Sequence, residues 1–436
     1  MASNPRHLIA GPRFVCRSCT QRAATQNRRS FATAAASNPD IYDVVCVGGG
    51  PAGLSLLAAL RSNPTTSRLR VALVEAQDLS KTRNWTLPAD RFSNRCSSLT
   101  PTSAQYLNSI GAWSHMKRER IQVYQEMQVW DGVTDARIEF DWTPDSVTSG
   151  GKTIAYMCEN LNLTSGLLKR LEELGGVSVF DAAKVQDITL GEETEELDLS
   201  QWPVVHLEAL SAPSRTSRVA AGLPGKYSTL VWSTTPANAA LLKSLAPKDF
   251  IALVNAAFRL SPVDVKFMHT TSSGQDEELQ WRLDHTPVDV AAIPQTAVGV
   301  QEGTIASFPL KLRHADTYIG ERVALIGDAA HTIHPLAGQG LNSGQGDVQS
   351  LAKTIEYAVA HGQDIGSSLS LETYNSERYA ANHVLLGVCD KLHKLYSVES
   401  GPLVHLRSLG LNAVNAVGPL KKFIMDQAAG SGARFI

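Results

Sequence analysis

A glycine turn between an apolar strand and an apolar helix restricts this chain more than any other feature. Val44, Val45, Cys46 and Val47 form an uninterrupted apolar run of the kind found in strands buried on both faces. Gly48-Gly49-Gly50-Pro51-Ala52-Gly53 follows, and Leu54, Leu56, Leu57, Ala58, Ala59 and Leu60 continue as a helix. Arg70 to Val74 makes a second strand, ending at Glu75. The spacing Gly48-x-Gly50-x-x-Gly53 is that of a dinucleotide-binding turn: one glycine for the tight turn, one for close approach of a pyrophosphate, one for helix–strand packing. The helix N-terminus offers unpaired N–H groups and a partial positive charge to phosphates. Glu75, 22 residues past Gly53, stands where a ribose diol would donate hydrogen bonds. The turn alone does not separate FAD from NAD.

A second pattern points to FAD. Arg322 to Ile326 reads as a strand, capped by Gly327-Asp328-Ala329-Ala330-His331 and followed by Pro335-Leu336-Ala337-Gly338-Gln339-Gly340-Leu341-Asn342 and a further helix. Asp328 at a strand end can accept hydrogen bonds from ribityl hydroxyls. Gly338 and Gly340 leave room for an isoalloxazine ring, and the helix N-terminus beyond them favours a reduced, anionic flavin. His331 and His334 lack partner ligands at metal-site spacing and are read as structural or flavin-adjacent.

The remainder of the chain narrows the setting. Forty Lys and Arg against 42 Asp and Glu give a formal net charge of −2, which excludes a protein whose main task is gripping nucleic acid. Six cysteines in 436 residues are too few for a disulfide framework and fit a reducing compartment. Cys16-x-x-Cys19 has no second pair, so no metal is expected. Residues 1–39 carry six arginines and no acid, which predicts a mitochondrial transit peptide over residues 1–36 with cleavage near Ala32. Strands are expected around 229–233, 297–300 and 304–309. Leu403, Leu406, Leu409, Val414, Val417, Leu420 and Ile424 form an apolar stripe near the C-terminus, with Arg407, Lys421 and Lys422 on its polar side and Gly410, Gly418 and Pro419 interrupting it. It closes the protein's own core or rests on an anionic membrane or partner.

These residues resemble the aromatic-ring flavoprotein monooxygenases, and within them the ubiquinone-biosynthesis branch. The resemblance rests on Asp43–Gly53 with Glu75 and on Gly327-Asp328 through Asn342 and Asp347. It extends to Asn94–Pro101, Met127–Asp131, Tyr156–Asn160, Ser228–Ser233 and Ser307–Leu310. It implies an α/β fold with a Rossmann-like FAD-binding domain, a β-sheet-containing substrate domain and a helical C-terminus. The FAD-binding domain would occupy 41–115, 153–210 and 318–400, the substrate domain 116–152 and 227–317, and amphipathic helices 401–436. Gly48, Gly50, Gly53, Glu75, Arg95, Asp328, Pro335, Gly338, Gly340, Leu341 and Asn342 would hold FAD. One element is missing: a strand with a Gly-Ala-Asp-Gly-type motif, expected where residues 211–226 instead bridge directly to Tyr227.

The chemistry implied is hydroxylation at C5 of a polyprenylated 4-hydroxybenzoate-type ring, using O2 and reduced flavin. The cofactor carries the reaction, so no catalytic side chain is named. The resemblance further implies a ferredoxin and ferredoxin reductase as electron donors and a ubiquinone-synthesis multi-enzyme complex. The setting would be the matrix face of the mitochondrial inner-membrane surface. Two rival readings are a truncated, catalytically silent scaffold subunit of the ubiquinone-synthesis complex and a hydroxylase of another lipophilic phenol.

Overall fold

Strand β1 (Val44–Val47), helix α1 (Pro51–Ser62) and strand β2 (Val71–Val74) form where the apolar runs place them. The computed structural model describes residues 40–131, 133, 134, 136–141, 153–193, 198–209, 226–287, 293–333, 338–398, 400–419 and 421. The expected leader and its cleavage point, and the junction at 211–225, lie outside the described residues.

Strand β3 (Cys96–Leu99) leads into α2 (Pro101–Ser109), which starts at Thr100, whose hydroxyl accepts the Ser103 amide. Strands β4 (Ile121–Tyr124), β5 (Glu126–Trp130), β6 (Arg137–Asp141) and β7 (Ala155–Glu159) follow. Helix α3 (Asn160–Leu174) stops at Gly175, whose φ of +63° suits glycine. Then come β8 (Val177–Phe180) and the hairpin β9 (Ala183–Leu190) and β10 (Pro203–Ala209).

The sheet that carries the glycine turn is parallel and ordered β1–β2–β8. Every residue of β2 is buried, as expected of a central strand. Helices α1 and α3 pack on it, and Leu54, Leu57, Leu73, Leu163 and Leu167 have no exposed surface. In doubly wound sheets a further strand lies beside the first. Among the described residues nothing pairs with the outer edge of β1, where Val45 is 40% and Val47 54% exposed. A second sheet, β3–β7–β4, is antiparallel, and β5 and β6 form a hairpin.

The expected strands at 229–233, 297–300 and 304–309 do not form. Helices α4 (Pro236–Ser244), α5 (Pro247–Arg259), α6 (Pro262–Met268) and α7 (Gln275–His285) fill this region instead. They close a small core of Leu242, Leu253, Ala256, Met268 and Leu279. A strand requires a neighbouring strand to satisfy its amides and carbonyls in series, and among the described residues none pairs with these three segments; Ala297 instead exchanges both its backbone groups with the Asn255 side chain. The strand expected at 322–326 shrinks to β12 (Val323–Ala324), which pairs antiparallel with β11 (Ile319–Gly320).

Helix α8 (Gly340–Ala360) buries Val348, Leu351 and Ile355 against α1 in the main core. Helix α9 (Ser368–Tyr396) packs on α8, and α10 (Pro402–Ala416) lies against β6. Two expectations for the C-terminal stripe need correction. Gly410 does not interrupt α10. Arg407 is not on a polar face but buried, because its charge is matched inside by Asp131. Leu411 and Val414 pack on Ile138 and Phe140, whereas Leu403, Leu406 and Leu409 face solvent at helical spacing. Leu420 and Ile424 lie outside the described residues.

Candidate dinucleotide site

The three glycines of the first turn have separable tasks. Gly48 has φ +108°, a conformation only glycine adopts cheaply, and its N–H donates to Val74 O at 2.8 Å. Gly53 permits packing: a Cβ there would lie 2.2 Å from Gly48 O and 2.9 Å from Cys46 Sγ. Gly50 is open, with nothing within 4 Å of where a Cβ would stand. It caps α1 without a side-chain hydrogen bond, and the first turn holds no acid. The helix N-terminus is thus uncapped and unshielded, as an anion requires.

Glu75 ends β2 and turns back over this loop. Its Oε2 accepts the Gly49 amide at 2.5 Å and its Oε1 the Gln77 amide at 2.7 Å. Each oxygen retains a further lone pair for a hydroxyl donor.

The fold brings the second motif against the first. A Cβ on Gly327 would stand 3.3 Å from Ala52 Cβ, and one on Gly344 would be 3.4 Å from Gly327 Cα. Gln345 Nε2 reaches Pro51 O at 3.5 Å. Gly327, with φ +56°, starts a 3-10 turn in which Asp328 is exposed. Gly338 is also left-handed, φ +58°, and exposed, while Gly340 opens α8. Asn342 anchors this stretch to β3: its Nδ2 donates to Ser98 O at 2.8 Å and its Oδ1 accepts the Thr100 amide at 3.0 Å. The Leu341 side chain packs on the core, so its backbone is what it can offer a ligand. Pro335 and His334 lie outside the described residues.

Arg95 is exposed just before β3, and its carbonyl accepts the Asn160 amide at 2.8 Å. Its segment is held from beneath by a buried pair that sequence spacing did not single out. Arg120 Nε donates to Glu159 Oε2 at 2.5 Å, and Glu159 Oε1 accepts the Ser93 amide at 2.5 Å. The Arg120 guanidinium also lies over the rings of Trp85 and Phe92. His331 proves to be buried, on Asp347. Among the described residues no cluster suits a metal ion. The Cys46 and Cys158 thiols are each pushed up to about 12, first by burial and then by neighbouring carboxylates, so neither is a nucleophile at neutral pH. The site is made of backbone, glycine and hydrogen-bonding side chains around one uncapped helix end. That set fits a flavin dinucleotide.

Comparison with known proteins agrees. A family model described as FAD binding domain matches residues 253–386. The mitochondrial ubiquinone biosynthesis monooxygenase COQ6 of Schizosaccharomyces pombe is 36% identical, over 89% of this chain and 92% of its own length. The Saccharomyces cerevisiae protein of that name is 36% identical over 92% of this chain and 97% of its own length. For the human one the figures are 33%, 90% and 94%. The chain belongs to the COQ6 family. FAD is therefore the cofactor of this chain. Among solved structures, the OxyS anhydrotetracycline hydroxylase of Streptomyces rimosus aligns with a TM-score of 0.57 at 17% identity, over 91% of this chain and 77% of that one. The p-nitrophenol 4-monooxygenase PnpA of Pseudomonas putida aligns at 0.54 and 18%, over 91% and 99%. Both show the same α/β fold.

The COQ6 alignments also bear on the missing element. The S. pombe alignment runs over 446 positions, more than the 436 residues present here, while engaging only 89% of them. That COQ6 protein therefore has residues with no counterpart in this chain.

Proposed function

We propose that the chain is an FAD-dependent monooxygenase that hydroxylates C5 of a polyprenylated 4-hydroxybenzoate-type ring in ubiquinone synthesis. The observation that supports this reading is the close approach of Gly327 and Gly344 to Ala52, by which the two glycine turns lie against each other. Bound FAD, once reduced, supplies the activation of O2. The protein's share is to hold it: the uncapped end of α1 and Gly50 take the pyrophosphate, Glu75 the ribose, Asp328 the ribityl chain, and Gly338 to Asn342 the ring edge. Arg95, exposed just before β3, would add a positive charge to the same ligand. Membership of the COQ6 family disfavours the silent-scaffold reading.

Electrons come from a ferredoxin and its reductase, and the chain works within a multi-enzyme complex on the matrix face of the inner membrane. No described helix is long and apolar enough to cross a membrane. The outward row Leu403, Leu406 and Leu409 on α10, together with exposed Val384, Val388 and Leu392 on α9, supports contact with lipid or a partner that delivers a prenylated substrate. The domain boundaries stated from sequence, with the absent segment at 211–226, belong to the same reading.

The test is reconstitution with FAD, ferredoxin, ferredoxin reductase, O2 and a short-chain prenylated 4-hydroxybenzoate, followed by mass spectrometry. A product heavier by one oxygen, hydroxylated at C5, supports the reading. Flavin binding without any ring oxygenation would overturn the substrate assignment, and absence of flavin binding would overturn the whole of it.

A further inference from the structure

Asp347 lies in α8 with no exposed surface, and four donors saturate its carboxylate. Oδ2 accepts the Gly327 amide at 3.0 Å and His331 Nε2 at 2.6 Å. Oδ1 accepts Arg378 Nε at 2.9 Å and Asn382 Nδ2 at 2.9 Å. Arg378 Nη2 is itself held by Asn382 Oδ1 at 3.0 Å and Ser343 O at 3.3 Å. The segment entering the turn is fixed from α9, since Tyr374 donates its hydroxyl to Leu325 O at 2.5 Å.

We propose that Asp347 is the positioning residue of the flavin turn, with Arg378 and Asn382 of α9 setting its orientation. The proposal rests on the FAD reading above and deepens it. A buried ion pair seldom adds stability over well-packed apolar side chains of similar volume, so its value here lies in what it fixes. What it fixes is a left-handed glycine, the residue with the greatest backbone freedom. Gly327 precedes Asp328 directly, so a rotation of the Gly327 peptide would swing the carboxylate that meets the ribityl hydroxyls. Oδ2 removes that rotation by holding the Gly327 N–H, while both groups on Oδ1 come from one face of α9, four residues apart. Asp347 therefore ties the cofactor turn to two helices at once. It touches no reacting atom.

The experiment compares the full chain with Asp347→Asn, with the milder Asn382→Ala, and with Asp131→Asn. The last breaks a different buried pair, between the β5–β6 hairpin and α10. Hydrogen exchange over residues 325–332 is read first without FAD, then FAD affinity and the visible spectrum of the bound flavin are read at equal folded fraction. Asn382→Ala should accelerate exchange at the turn and weaken FAD binding by about tenfold, the loss of one charge-assisted hydrogen bond. Asp347→Asn should exceed it and shift the flavin spectrum. Asp131→Asn should lose thermal stability with neither effect. If Asn382→Ala and Asp347→Asn lower the melting temperature but leave turn exchange and FAD affinity unchanged, Asp347 is only a structural tie and the proposal is wrong. The same holds if Asp131→Asn gives equal effects at the turn. Should the parent chain bind no FAD, the functional reading fails, while the exchange data still decide the positioning.

Discussion

Arg407 and Asp131, 276 residues apart, face each other through two parallel hydrogen bonds, Nε to Oδ2 at 2.7 Å and Nη2 to Oδ1 at 3.0 Å. Both side chains are buried, and the remaining guanidinium nitrogen donates to Leu395 O and Val398 O. Removing one partner leaves an uncompensated charge in the interior. Arg407→Ala should therefore cost about 3–5 kcal/mol, measured by urea denaturation. Arg407→Lys should recover little of it, because an ammonium cannot present the planar fork.

Acid should find the same two buried carboxylates. Burial alone would push Asp131 and Asp347 up, but the Arg407 guanidinium for one, and His331 and Arg378 for the other, hold both below the usual range. A folded-state value below the unfolded value, about 3.9, contributes stability that is full above about pH 5 and lost as pH falls through the folded values. Urea midpoints between pH 6 and pH 3 should fall more steeply for the parent than for Asp131→Asn. Equal slopes would show that this pair is not linked to protons.

The two turn glycines should fail differently. Gly53→Ala forces a Cβ to within 2.2 Å of Gly48 O, so it should cost at least the roughly 1–3 kcal/mol typical of overpacking. Gly50→Glu meets open space and should leave the melting temperature near that of the parent while abolishing FAD binding, since its carboxylate would stand against the pyrophosphate. Asp328→Ala should likewise empty the site, through loss of hydrogen bonds worth about 1.5–3 kcal/mol to a charged acceptor. Full flavin content in both purified variants would refute the FAD assignment.

A version of the chain with the family's additional strand inserted at 211–226 should hold FAD better than the present one. Strand β1 carries the phosphate turn, and an edge strand opens more readily than one paired on both sides. We expect at least about a tenfold gain in FAD affinity, about 1.4 kcal/mol, together with slower exchange of the Val44–Gly48 amides. Equal affinity and equal turnover would show that the strand is dispensable.

Periodicity and glycine spacing carried the local fold around the first glycine turn almost completely. Strand, turn, helix and strand from Val44 to Glu75 are all local, and each glycine's task follows from covalent geometry. The second motif was legible as a motif, but its strand was over-read. Val323 to Ile326 is apolar enough for an interior strand, yet pairing depends on a neighbour that no local pattern reveals. The same applies to 229–233 and 297–309. Arg378, Asn382, Arg120 and Glu159 were missed as site supports because their partners lie 31, 35 and 39 residues away, at no period that a helix or strand imposes. Arg407 was placed on the wrong face for one reason: a buried charge looks solvent-exposed until its counter-ion is located.

The bare flank of β1 also has a bearing on how long such a molecule lasts in a cell. Among the described residues the outer N–H and C=O groups of β1 have no partner strand, and such an edge is a template onto which another extended segment can add. Chaperones and proteases sort molecules by such exposed features. Tight cofactor binding opposes that sorting, because a ligand that binds only the folded form lowers the population of every opened form.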